Sequence, residues 1–510
     1  MQRFLYGEEL VFSAKKDSNC EFVFPLPEYL PNISRIVTTS ASVEKCSLRE
    51  GTPEAAIDVS LSICVIYVSD FGGRIKNAVF RESVSVNLPG SIPENEDITP
   101  MLSAFVSSVS SKPETSRRIH TVCSISVSAA MFDPSHCEMF DNEANEGVCL
   151  LTNEADICTK ASIWNLPFEH EAEITIDKEN HSVGEIIFAD AVFCSSSANS
   201  RDSQLDFEGN FMLHVLYEAS SETGDEGSSY AVINAPVTVR DVIRDDRIKE
   251  NMPCFIHLDV ACLEPSVSFD PYGENRVVSF TLKYSADACF YSQSKREIVS
   301  DAFSEAFESR PLFSDIPVRR IIQKVSDTVQ LSQSVRGDIK ELSDISDCRS
   351  KIMSVSMEHN EGKIFAAVRC ALGILGTNMS GELCAVDNTV TLHVPVYTCD
   401  KDDCDIIPDV LICIKKCTSH IKEGELIADF DIGVSGVILS RTPIRVVTNL
   451  DIDESAPTNS KKGEVIIFYP RNSDNLWNIS KKFHVNPETV KQVNSLENDN
   501  ISSKHILLIP

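Results

Sequence analysis

The feature that most constrains this chain is a period-2 alternation of apolar and polar residues that returns three times. Ile57, Val59, Leu61, Ile63, Val65 and Tyr67 alternate with Asp58, Ser60, Ser62 and Cys64. The pattern comes back as Leu205, Phe207, Phe211, Leu213, Val215 and Tyr217, and again as Ile364, Ala366, Val368, Cys370, Leu372 and Ile374. Successive side chains of a strand point to opposite faces, so this spacing predicts strands with one buried face. The runs end at 67, 217 and 374, offsets of 150 and 157. Another extended run precedes each (35–43, 185–193, 351–357) and another follows (83–89, 235–239, 391–396). An order that recurs at so long a period predicts three related β domains in tandem, not a solenoid.

The expected fold is therefore a mainly β body of three repeated β-sandwich-like domains, at 1–150, 151–300 and 301–450. Phe132-Asp133-Pro134 and Phe269-Asp270-Pro271 read as matching turns, because Pro presets φ and Asp bonds its own backbone. Helix signals are few: 295–307 reads as a short amphipathic connector, and 327–342 as a second, weaker one. Residues 451–462 are polar and contain Pro457, the composition of a linker. A small α+β module of the order βααβ is expected over 463–510.

Charge separates the module from the body. With 46 basic and 76 acidic residues the chain carries −30, yet 461–510 holds seven basic and five acidic side chains, leaving −32 for the rest. A surface that acidic repels phosphate backbones and anionic lipid, so nucleic acid is not an expected partner. No window approaches 18 uninterrupted apolar residues, and Lys15, Lys16 and Asp17 fall where a secretory segment would be greasy. Neither membrane insertion nor export is expected, and the 18 cysteines read as reduced thiols in a cytoplasmic setting. Cys64, Cys123, Cys262 and Cys370 lie within strand patterns, where a thiol packs as a small hydrophobe.

In the last 48 residues, 465–469 reads as a strand and Asp474 as the cap of a helix bearing Leu476, Ile479 and Phe483. Asn486-Pro487 starts a second helix with Val490 and Val493 facing inward, and 506–510 closes the unit as a strand. Asp474, Leu476, Trp477, Ile479, Asn494, Leu496 and the terminal Leu507-Leu508-Ile509-Pro510 resemble the LysM domain. That resemblance implies loops lining a groove for N-acetylglucosamine polymers. Ser473 and Lys504 stand where the family commonly has glycine, and Asn475 where it prefers Thr or Ser. Glycine permits close backbone approach to a ligand, so its loss counts against a glycan.

With that module in place, the body resembles tandem SPOCS domains, and 299–304 looks like the Asp-aromatic-Ser element found between such domains. Three SPOCS-like units followed by one LysM-like unit resemble the SipL-type spore-coat morphogenetic proteins. The resemblance implies a mother-cell protein at the forespore surface that takes part in coat assembly. It also implies a partner, the ATP-hydrolysing stage IV sporulation protein A, contacted through the LysM-like module.

No catalytic constellation is legible. There is no phosphate-binding Gly-Lys-Ser/Thr or Gly-x-Gly-x-x-Gly, His170-Glu171 lacks the second His of a zinc protease helix, and 433–436 lacks the spacing of a nucleophile elbow. Asp429, Asp431 and Gly433 hint at a calcium loop but read as a solvated turn. Cys399, Cys404, Cys413 and Cys417 are spaced more loosely than a zinc knuckle and read as thiols. No cofactor, metal or enzymatic activity is expected. The expected partner-binding residues are Asp474, Asn475, Leu476, Trp477, Lys481, Lys482, Lys491, Val493 and Asn494: lysines for an acidic face, apolar anchors beside them, and Asn amides for protein or sugar. The expectation is a scaffold or recruitment protein, with a peptidoglycan-binding wall or cortex protein as the alternative.

Overall fold

The computed structural model describes residues 2–49, 54–92, 99–141, 147–220, 230–335, 342–399, 405–458, 465–471, 474–496, 498, 501 and 506–510. The first unit contains β1 (Gln2–Pro25), β2 (Ile33–Leu48), β3 (Glu54–Ser69), β4 (Ile75–Ser91), β5 (Thr99–Thr115) and β6 (Arg118–Met139). Its strands form two three-stranded antiparallel sheets, β1-β6-β5 and β2-β3-β4. The second unit repeats this with β7 (Val148–Thr175), β8 (Val183–Arg201), β9 (Gln204–Ala219), β10 (Tyr230–Arg244), β11 (Cys254–Ser268) and β12 (Val277–Ser304). The sheets are β7-β12-β11 and β8-β9-β10. In the third unit β13 (Phe307–Val335), β14 (Asp344–Asn360), β15 (Lys363–Thr377), β16 (Leu383–Thr398), β17 (Asp405–Lys422) and β18 (Glu425–Pro457) give β13-β18-β17 and β14-β15-β16.

The three alternating runs are β3, β9 and β15, each the central strand of the all-consecutive sheet. Their inward residues pack against the last strand of the facing sheet: Ile57, Val59 and Leu61 against Cys123, Ile125 and Val127 in the first unit, for example. Central placement follows from the pattern, since a strand covered on one face and paired on both edges offers no place for polar side chains inside.

The repeat reaches individual hydrogen bonds. Tyr67 Oη donates to Pro31 O and Tyr217 Oη to His181 O, both at 3.0 Å and both 36 residues upstream. The same loop is held in the first unit by Arg117, which donates to Leu26, Leu30 and Pro27 carbonyls, and in the second by Arg276, which donates to Asp177 and Asn180 carbonyls. A guanidinium satisfies several loop carbonyls at once because its donors are fixed in one plane. By strand register the third unit has Gly376, paired with Ile345, where the others have Tyr67 and Tyr217, paired with Ile36 and Ile186, and 336–341 lie outside the described residues.

Where the units meet, two apolar junctions form. Ile66 and Ile75, Ile187 and Leu216, and Leu375 and Leu383 bring one sheet of each unit together. The extended ends of the first and last strands make the second: Met139 and Phe140, Val148, Ile298 and Val299, Ile316, Val446 and Val447. Polar contacts reinforce the contact between the second and third units. His214 Nδ1 lies 2.9 Å from Asp347 Oδ1, with both side chains buried, and Arg349 stacks 4.5 Å over the Phe188 ring.

Several sequence expectations need correction. Residues 295–304 continue β12 and are not a helix. A register shift between Val299 and Asp301 puts Ile298, Val299, Ala302 and Phe303 inside, and that bulge imitates helical spacing. The stretch 327–335 belongs to β13, an edge strand paired only with β18, so most of its side chains are exposed and its alternation is faint. The two Asp-Pro elements are not equivalent: 270–273 is a turn, whereas Asp133 and Pro134 lie within β6. Among the described residues β6 pairs beyond Phe132 with β1 alone, and a residue without N–H is tolerated there. Asp429 and Asp431 sit on β18, accepting from Ser332 and Gln330 across the sheet, not in a turn. Residues 451–457, read as linker, complete β18 against β13.

Candidate functional site

The C-terminal unit places β19 (Ile466–Phe468) antiparallel to β20 (Leu507–Ile509), with α1 (Leu476–Phe483) and α2 (Pro487–Asn494) between them in sequence. Its core is small: Leu476, Ile479, Val490, Leu507 and Ile509, bordered by Phe468, Phe483 and Leu496. Such a unit depends on capping as much as on burial. Asn475, not Asp474, caps α1, accepting from Asn478 N at 2.7 Å, and Asn486 caps α2 by accepting from Glu488 N. Asp474 instead accepts from Arg471 N and closes the preceding turn.

The unit is seated on the body where the second domain gives way to the third. Asp301, near the end of β12, is the centre of the seat. Trp477 Nε1 donates to Asp301 Oδ2 at 2.8 Å, and Lys481 Nζ lies 2.6 and 2.8 Å from the two carboxylate oxygens. The indole stands edge-on to the buried Phe303 ring, centroids 5.1 Å apart. His484 Nδ1 is 2.9 Å from Ser304 O, with Nε2 3.6 Å from Glu308, and Asn486 Nδ2 donates to Glu305 Oε1. The chain before the unit is tied to the same place, since Thr458 bonds Ala306 O and Glu305 O. Thus the Asp-aromatic-Ser element singled out in the sequence is the receptor for α1. Lys481 is one turn from Trp477, so both reach one carboxylate from one helix face.

The nine expected partner-binding residues are not one surface. Leu476 is core. Trp477 and Lys481 are turned onto the body, so a docking face that includes them is overturned by the contact they make within the chain. Asn494 holds β20, donating to Val490 O and Leu508 O and accepting from Leu508 N, so its amide is engaged. Lys482 lies over the Phe468 and Phe483 rings, and Lys491 contacts Glu488. Val493 points outward, not inward. Ser473, Lys504 and Asn500 lie outside the described residues.

An apolar face on the β19–β20 ribbon is what sequence reasoning missed. Val465, Ile467, Tyr469, Ile506 and Leu508 are all exposed, with Ile467 and Leu508 register partners. The run Val465-Ile466-Ile467-Phe468-Tyr469 carried the signal, because side chains of a strand alternate between faces and five consecutive apolar residues cannot all reach one small core.

Residues 471–510 match the family model of the LysM domain, so the chain carries a LysM domain there. Family members bind peptidoglycan or other carbohydrate, or protein. No curated protein and no solved structure matches the chain. Among the described residues no helix is long and apolar enough to cross a membrane. Nor do His, Cys, Asp and Glu gather there in a group fit for a metal ion. Cys404 is outside the described residues, Cys413 is buried beside Gly433 O, and Cys417 faces Cys348 instead of Cys413.

Proposed function

We propose that this protein is a non-enzymatic scaffold of spore-coat assembly, acting in the mother cell at the forespore surface. Its LysM domain recruits a coat basement-layer protein, the stage IV sporulation ATPase. The order of three duplicated β units followed by one LysM domain supports the reading, through its resemblance to SipL-type proteins. One observation carries protein over glycan as the ligand. The polar side chains expected to read a ligand are engaged within the chain (Asn475 in a cap, Asp474 in a turn, Asn494 on β20), while the exposed surface is the apolar Ile467–Leu508 face. Sugar recognition needs convergent free donors and acceptors; a protein anchor needs apolar area rimmed by charge, and Lys482 and Lys491 lie on the same unit.

The test uses the full chain. Ile467→Glu and Leu508→Glu, placed on the exposed face, should each weaken capture of the coat ATPase at least tenfold without changing thermal stability. Sedimentation with insoluble peptidoglycan, run in parallel, should be negligible for wild type. Peptidoglycan binding that survives both substitutions, with no ATPase capture, would establish the wall- or cortex-binding alternative.

A further inference from the structure

We propose that Cys348 and Cys417 are a redox staple: a dithiol that closes to a disulfide and locks the two sheets of the third unit together. The two residues lie on β14 and β17, edge strands of opposite sheets. Their Sγ atoms are 3.4 Å apart. Closing to a disulfide of about 2.05 Å asks for roughly 1.3 Å of approach, within reach of small χ1 rotations. At the register-equivalent positions of the second unit, on β8 and β11, stand Ala189 and Leu263, so the facing sulfurs belong to the third unit.

Reagents can reach the pair. Both cysteines are part-exposed and line a cavity of about 310 Å³ shared between the second and third units, with Cys194, His214, Ser350 and Ser419 in its wall. The two thiols are also unequal. A hydrogen bond from Cys417 holds the Cys348 thiol below its ordinary value against the opposing effect of burial, with Ser419 adding to the lowering. Cys417 is pushed up, by that same bond and by burial. With Cys417 as the donor in the Sγ–Sγ contact, Cys348 is the attacking thiol and Cys417 the resolving one. Cys370, fully buried, is raised to about 12 by burial and is the inert comparison.

The oxidant is a low-molecular-weight disulfide. The Cys348 thiolate attacks one of its sulfurs, the reagent's S–S bond breaks, and one thiolate leaves. Cys417 then attacks the Cys348 sulfur of the mixed disulfide, and the second thiolate leaves. The two cysteine protons end on the two released thiols, and two electrons pass from protein to reagent.

Full-length reduced protein should be exposed to 2-hydroxyethyl disulfide, quenched by alkylation at intervals and mapped by peptide mass. A Cys348–Cys417 linked peptide should appear at least tenfold faster than any other linkage, while Cys370 stays alkylatable only after denaturation. Cys417→Ser should stop at a mixed disulfide on Cys348, and Cys348→Ser should leave Cys417 unmodified over the same period. If either variant fails to fold, the wild-type map decides alone. Absence of the linked peptide, or a Cys348 no faster than Cys370, overturns the proposal.

Discussion

The two kinds of joint in this molecule are made from different materials. The units of the body meet through Ile66, Ile187, Leu216 and Leu375, side chains that are buried at 1–4% exposure and come from central and neighbouring strands of three sheets. The LysM domain meets the body mainly through polar groups: Asp301 takes the indole of Trp477 and the ammonium of Lys481, while His484 faces Ser304 O and Glu308 and Asn486 bonds Glu305. Apolar burial is insensitive to salt and stabilises by about 25 cal/mol per Å². Charge-assisted contacts at partly exposed groups contribute about 1 kcal/mol each and weaken as ions screen them. The joint between the units should therefore be insensitive to salt, while the LysM seat should weaken as salt rises.

The largest effect should come from breaking the apolar joint. Leu216→Asp places an unpaired carboxylate among apolar side chains of three units. It should destabilise by more than about 4 kcal/mol, read as a fall in Tm and loss of a single cooperative transition. A smaller effect should follow at the polar contact of the second and third units. Removing the Asp347 carboxylate (Asp347→Ala) leaves His214 buried without its partner, at a cost of about 3 kcal/mol near neutral pH.

This residue also sets a pH dependence. Burial acts to raise the Asp347 carboxyl, but hydrogen bonding and charge from His214, with Arg349 beyond, lower it overall. A carboxylate held below its unfolded value, about 3.9, contributes its stability above that pH and loses it as pH falls through the lower folded value. From about pH 4 downward, wild type should lose stability faster than Asp347→Ala, and the gap between their Tm values should narrow.

The smallest effect belongs to the seat. Trp477→Ala should leave the Tm of the body within a few degrees but increase amide exchange of 476–494 at least tenfold. Asp301→Asn, which keeps an acceptor for the indole and removes the charge facing Lys481, should do so less. Raising the salt from about 0.05 to 0.5 M should loosen the seat in wild type and change nothing further in Asp301→Asn. A seat indifferent to Asp301→Asn and to salt, yet loosened by Trp477→Ala, would mean that Phe303 and the indole carry it by packing alone.

Much of this architecture was legible because period-2 patterns report which face of a strand is covered. β3, β9 and β15 were read directly from alternation, and the capped helices of the LysM domain from Asn486-Pro487 and the spacing of Leu476, Ile479 and Phe483. Illegible stretches were those where a neighbour, not the local pattern, decides the conformation. The Val299–Asp301 bulge counterfeited a helix, and β13 lost its alternation because one edge and one face stay open.

The sequence alone determined that this chain would make repeated sheets and a small helical unit after them, since side-chain periodicity is a local property. Only the tertiary structure decided that Trp477 and Lys481 turn toward Asp301 and that Cys417 meets Cys348. Each such meeting joins residues 69 to 180 positions apart, and no pattern along the chain encodes which distant carboxylate or thiol a side chain will face.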